Sequence, residues 1–99
     1  MKLIIAQSAL HDLQDIKIYY EEQGVRKIGL EFIEAILAHA QSILLYPDSG
    51  RMVPEFEQKH IREIIHPPFR VVYLRHAKTI SLVRVWRSER LLLLPEDET

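Results

Sequence analysis

Arginine is the side chain through which this sequence could do chemistry. Arg62, Arg70, Arg75, Arg84, Arg87 and Arg90 recur through one stretch, HIREIIHPPFRVVYLRHAKTISLVRVWRSER, from His60 to Arg90. A guanidinium stays charged and makes forked contacts with phosphates or carboxylates. It can stabilise a phosphorane-like transition state, but it holds its proton too tightly to act as a general base. Arginine alone therefore argues for binding, and for nuclease chemistry only where a base stands beside it. Histidine would be the natural base near neutral pH. His60 and His66 bracket one run, and His76 falls in the next turn. No histidine pair has the i, i+4 spacing of a helical zinc site and there is no cysteine, so no metal is expected. Gly24, Gly29 and Gly50 are too dispersed for a phosphate-cradling loop, and no serine sits in a nucleophile elbow. Glu21-Glu22, after Tyr19-Tyr20, reads as a solvated helix end. No cofactor is implied.

Three runs rich in β-branched and aromatic residues carry these arginines: residues 61–65, 69–75 and 79–86. Pro67-Pro68 separates the first two and His76-Ala77-Lys78 the last two, as expected for an antiparallel meander. Alternation puts Phe69, Val71 and Tyr73 on one face of the middle strand and Arg70, Val72 and Leu74 on the other. The first face should cover a core while the second presents arginine.

Upstream, residues 2–6 read as a short strand and Ser8 as a helix N-cap. Ala9, Leu13, Ile16 and Tyr20 then recur on one helical face, with Asp12 and Asp15 in early turns where the macrodipole favours acids. Gly24 stops this helix, and a second should span residues 26–45 with Ile28, Phe32, Ile36, Ala40, Ile43 and Leu44 as its apolar stripe. The short link forces an antiparallel hairpin. Residues 46–51 are a loop by composition. Residues 52–59 are ambiguous, with Pro54 speaking against a central strand. The expected fold is α+β: an N-terminal strand, an antiparallel helical hairpin, then a three-strand antiparallel meander, all one sheet with the hairpin on one face.

Ninety-nine residues, 47 % hydrophobic and 27 % charged, suit one globular domain spanning 1–99. No signal peptide or membrane-length apolar run is visible, and the absence of cysteine suits a reducing compartment, so a cytoplasmic protein is expected. The net charge of −1 is uneven. Residues 61–90 carry seven basic and two acidic groups, +5, against −3 for residues 1–60 and −3 for the tail. That asymmetry predicts a local positive field.

Gly50-Arg51, Arg62-Glu63, Phe69-Arg70-Val71-Val72-Tyr73 and Arg87-Ser88-Glu89-Arg90, in that order, resemble the ParE/RelE family of toxins from bacterial toxin–antitoxin pairs. The likeness spans almost the whole chain. Members of the RelE branch are ribosome-dependent mRNA endonucleases that use basic residues on the sheet and an acid or base near the C-terminus. Arg62 and Arg70 match basic positions of that branch, but Ile64 stands where it tends to have another basic group. Arg87 replaces the family histidine, and no Tyr or His follows His76. Glu63 or Glu89 could be a base, with nothing in the sequence favouring either. The resemblance therefore favours the ParE-like branch, which inhibits DNA gyrase and blocks replication without catalysis of its own. Arg62, Arg70, Arg87, Arg90 and Trp86 are the expected target-binding residues, with the ribosome and its mRNA as the alternative target.

The family also implies a cognate ParD-like antitoxin. Ile18, Leu30, Ile33 and Leu37 flank the main helical stripe, and Leu91, Leu92, Leu93 and Leu94 end the chain with no element left to bury them. Such apolar positions suit a disordered acidic segment that folds as it binds. Leu30, Ile33, Leu37 and the four leucines are the expected antitoxin-binding residues.

Overall fold

The computed structural model describes residues 1–88. The elements run β1 (Lys2–Ile5), α1 (Gln7–Glu22), α2 (Arg26–Ile43), β2 (Arg51–Met52), β3 (Ile61–His66), β4 (Phe69–Arg75) and β5 (Thr79–Arg87). They form a single sheet of order β1-β5-β4-β3-β2. The expected meander is there, antiparallel from β3 through β5. β1 joins it parallel to β5, with Lys2 opposite Thr79 and Ile5 opposite Leu82. The ambiguous stretch begins with a two-residue edge strand, β2, which ends before Pro54 as a proline without an N–H requires.

Alternation decides which side faces the helices. Phe69, Val71 and Tyr73 of β4 join Ile80, Leu82 and Val85 of β5 in one buried cluster with Ala9, Leu13, Ile16, Ile36, Ala40 and Ile43 of the hairpin. The α2 stripe starts later than its apolar residues suggest. Ile28 is 44 % exposed, while neighbouring Gly29 is buried. A Cβ at Gly29 would lie 2.8 Å from the Tyr20 Cβ, so glycine is what lets the helices approach there. Gly24 closes α1 at φ 78°, with its N–H on the Glu21 carbonyl and the Val25 N–H on the Tyr20 carbonyl. This is the paired-bond ending that satisfies the last carbonyls of a helix.

Two readings of α1 are corrected. Its N-cap is Ala6, with no side-chain cap, and the Ser8 hydroxyl donates 2.5 Å to the Val83 carbonyl instead. Asp12 and Asp15 lie past the first turn, and Asp12 turns onto β5. Past Leu82 β1 has ended, and β5 leaves an edge beside α1. There Asp12 Oδ2 accepts the Val85 N–H at 2.8 Å, supplying the acceptor that a further strand would have given.

Candidate functional site

The far face of the sheet was expected to present Arg70 to solvent, and it buries it instead. Arg70 is 5 % exposed. Its Nε donates 2.6 Å to Glu63, and its two terminal nitrogens donate 2.9 Å each to the two oxygens of Glu55, a forked pair. Glu63 is buried beside Val72 and also accepts from Arg51 Nε at 2.5 Å. Arg51, Glu63, Arg70 and Glu55 thus alternate in sign across the sheet. The Glu55 carboxyl is held below its ordinary range, first by hydrogen bonds from Arg70, with burial opposing them. The same bonds raise Arg70, the contact with Glu55 counting most.

Arg62 is half-buried and donates from Nη1 to the Gly50 carbonyl at 2.8 Å. Gly50 in turn donates its N–H to the Tyr73 hydroxyl at 2.9 Å, and that hydroxyl donates to the Pro47 carbonyl. A Cβ on Gly50 would fall 2.5 Å from the Tyr73 oxygen. Burial raises the Tyr73 phenol above its usual value, the bond from Gly50 opposing it. Gly50-Arg51, Arg62-Glu63 and Arg70 to Tyr73 are therefore one interlocked cluster. It ties the loop after α2 to β3 and β4.

The local charge of +5 is largely neutralised by acids from earlier in the chain. Asp48 takes Arg75 Nε at 3.0 Å and lies 3.8 Å from Arg62 Nε. Asp12 takes a forked contact from Arg84, at 2.8 and 3.1 Å. Glu55 takes Arg70. Each acid lies at least 14 residues from its arginine, so only the fold brings the signs together.

What the structure does assemble is a cleft of roughly 100 Å³ between α1 and the end of β5. Trp86 and Arg87, two of the expected target-binding residues, line it with Tyr19, Tyr20, Ile16 and Phe69. The Arg87 guanidinium lies 5.8 Å from the ring centres of Tyr19 and Phe69, and that of Arg84 lies 4.5 Å from Trp86. Aromatic faces beside cations are a common composition of protein contact sites. Arg62 and Arg70 belong to the other cluster. Arg90, Leu91, Leu92, Leu93 and Leu94 lie outside the described residues. On the hairpin, Ile18 and Leu30 are exposed, whereas Ile33 and Leu37 are half-buried against the core.

Sequence reasoning missed His39. Its Nδ1 lies 3.1 Å from Nδ1 of His66, joining α2 to the end of β3. The two are 27 residues apart, so no local spacing announces the pair. His60 and His76 are exposed, as strand-end positions should be. Among the described residues no group of three or more His, Cys, Asp or Glu could hold a metal ion, and no helix is long and apolar enough to cross a membrane.

No curated protein matches the chain. A solved structure described as the chromosomal ParDE TA system from P. aeruginosa superposes with a TM-score of 0.74 at 21 % identity, covering 88 % of this chain and 95 % of that one. At that identity the likeness speaks for the fold. The family model for the ParE toxin of the type II toxin–antitoxin system, parDE, matches residues 3–92. With nine-tenths of its length matched, the chain belongs to the ParE toxin family of type II toxin–antitoxin systems.

Proposed function

We propose that this toxin inhibits DNA gyrase, blocks replication, and is neutralised by direct binding of a cognate ParD-like antitoxin in the cytoplasm. The observation that carries the reading is the fate of the carboxylates beside the sheet arginines. Asp12, Asp48, Glu55 and Glu63 each hold an ion pair, and the Glu63 side chain is fully buried. A general base must reach the proton it removes. Glu63, the one described candidate for that role, is buried and occupied by two arginines. The sheet thus supports a surface that binds over one that cleaves RNA.

Target contact falls at the cleft of Trp86 and Arg87, with Arg90 as a further contact residue. Arg62 and Arg70 serve it indirectly, by holding β3, β4 and the preceding loop together. The antitoxin takes the outer side of the hairpin through Leu30, with Ile33 and Leu37 beneath, and the four terminal leucines. Purified toxin should stabilise cleaved gyrase–DNA complexes and leave mRNA intact in a translation extract. Replacing Arg87 and Arg90 by alanine should abolish the gyrase effect while the melting temperature stays close to wild type. Ribosome-dependent mRNA cleavage, with gyrase unaffected, would overturn the reading in favour of a RelE-like endonuclease.

A further inference from the structure

His39 and His66 face one another through like atoms. Two Nδ1 nitrogens at 3.1 Å make a hydrogen bond only if one carries a hydrogen and the other offers a lone pair. The neutral contact therefore needs two different tautomers, each with its remaining Nε2 left over. Both rings are half-buried, with centroids 5.3 Å apart and planes at 57°. One ring stands on α2, the other on the last residue of β3, and no sequence neighbour forces them together.

Protons enter such a pair in two unequal steps. The first goes to Nε2 of the donor ring and turns the contact into a charge-assisted bond, still N–H to lone pair. The second must go onto the acceptor nitrogen itself, which ends the bond and sets two cations face to face. We infer that the His39–His66 pair is a proton-operated latch between α2 and the end of β3, closed with one shared hydrogen and opened by the second proton. The proton comes from solvent and no other co-reactant is needed.

The surroundings set the direction. Burial and, after it, the charge of His39 hold His66 below the usual histidine range. Glu31 of α2 lines the same shallow groove as His66, with Ile28, Phe32 and Ala35, and its carboxylate is the group there that favours a cation. From the sheet, His66 is opposite Phe69 of β4, which is opposite Arg87 of β5, a fixed positive charge on the same face. Phe32 of α2 packs edge-on against Phe69 at 5.3 Å and also contacts Tyr20, so α2, α1 and the sheet meet beside the latch. Because the folded His66 is depressed, its contribution is fully present above the ordinary histidine range. It is lost as pH falls from that range through the depressed value. Opening loosens the seat of α2 on the sheet, and with it the groove that Ile28, Phe32 and Ala35 border.

Amide exchange of the full chain, corrected for intrinsic rates, tests this between pH 7.5 and 5. In wild type the last two turns of α2 should lose about tenfold protection relative to α1. His39→Gln, which can still hydrogen-bond but takes no charge, should show a smaller loss, the part that burial of His66 alone causes. Imidazole ¹⁵N shifts of wild type provide a readout independent of any variant, and the two rings should titrate in linked steps. Independent single-step titration of the two rings, or equal loss of protection in wild type and His39→Gln, would overturn the latch.

Discussion

Replacing Glu63 by glutamine changes one atom and removes the negative charge from the centre of the far-face cluster. The carboxylate accepts from Arg51 Nε on one oxygen and from Arg70 Nε on the other, and its side chain is fully buried. The glutamine oxygen can keep one of these bonds. Its NH₂ then points at the N–H of the second arginine, donor against donor. A charge-assisted bond contributes roughly 1.5–3 kcal/mol. Leaving one member of a buried ion pair without its partner costs about 3–5 kcal/mol. Two features reduce the loss: Arg51 is 59 % exposed and can turn to water, and Arg70 keeps Glu55. About 3 kcal/mol is expected. For a domain of this size that lowers the melting temperature by roughly 12–24 °C. Thermal and urea unfolding of the purified toxin measure it. The double change Glu63→Gln with Arg70→Met should cost less than the two single losses added, because it removes both sides of one contact. If Glu63→Gln leaves stability within about 1 kcal/mol of wild type while toxicity disappears, the residue acts on the target and the structural account of the cluster is wrong.

Two further outcomes follow from neighbouring atoms. Gly50→Ala forces a Cβ to within 2.5 Å of the Tyr73 oxygen and 2.7 Å of the Glu63 carbonyl, so it should destabilise by about 1–3 kcal/mol in urea titration. Tyr73→Phe in the same background should recover part of that loss, since the clashing oxygen is gone. The depressed Glu55 carboxyl adds an acid dependence. Its contribution is present above the ordinary carboxylate range and lost as pH falls below it through the lowered value. Wild type should therefore lose more stability between pH 5 and pH 3 than Glu55→Gln does, as melting across that range will show.

The strands of the meander were legible because their apolar residues alternate between turn signals, and that periodicity survives folding. Residues whose partners are distant were not. Asp12 reads as a helix acid responding to a dipole, yet its contacts are Arg84 and Val85, about 72 residues away. Ser8 reads as a cap for the same reason: a short polar side chain before a helix is a local signal, while the Val83 carbonyl that takes its hydroxyl is not. The arginines illustrate the limit most clearly. Alternation correctly put Arg70 opposite the core face, but an open sheet face need not be wet. Glu55, from the ambiguous residues 52–59, is what takes Arg70 out of solvent there. Trp86 and Arg87 could be nominated from type and place; the aromatic walls supplied by α1 could not.

The parallel pairing of β1 with β5 joins the first described strand to the last. Leu3 and Ile5 have no strand beside them until Ile80 and Leu82 are present. Loops of that length close at a modest entropic cost but slowly. During synthesis the helical hairpin emerges early, with its inner stripe facing water, and waits for most of the polypeptide before a sheet can receive it. Asp12 likewise stays an unpaired acid until Arg84 is made. A nascent chain that stops short of Thr79 therefore lacks the strand that pairs with β1 and covers the hairpin. The sheet and the seat of the hairpin are thus completed together, by the same late strand.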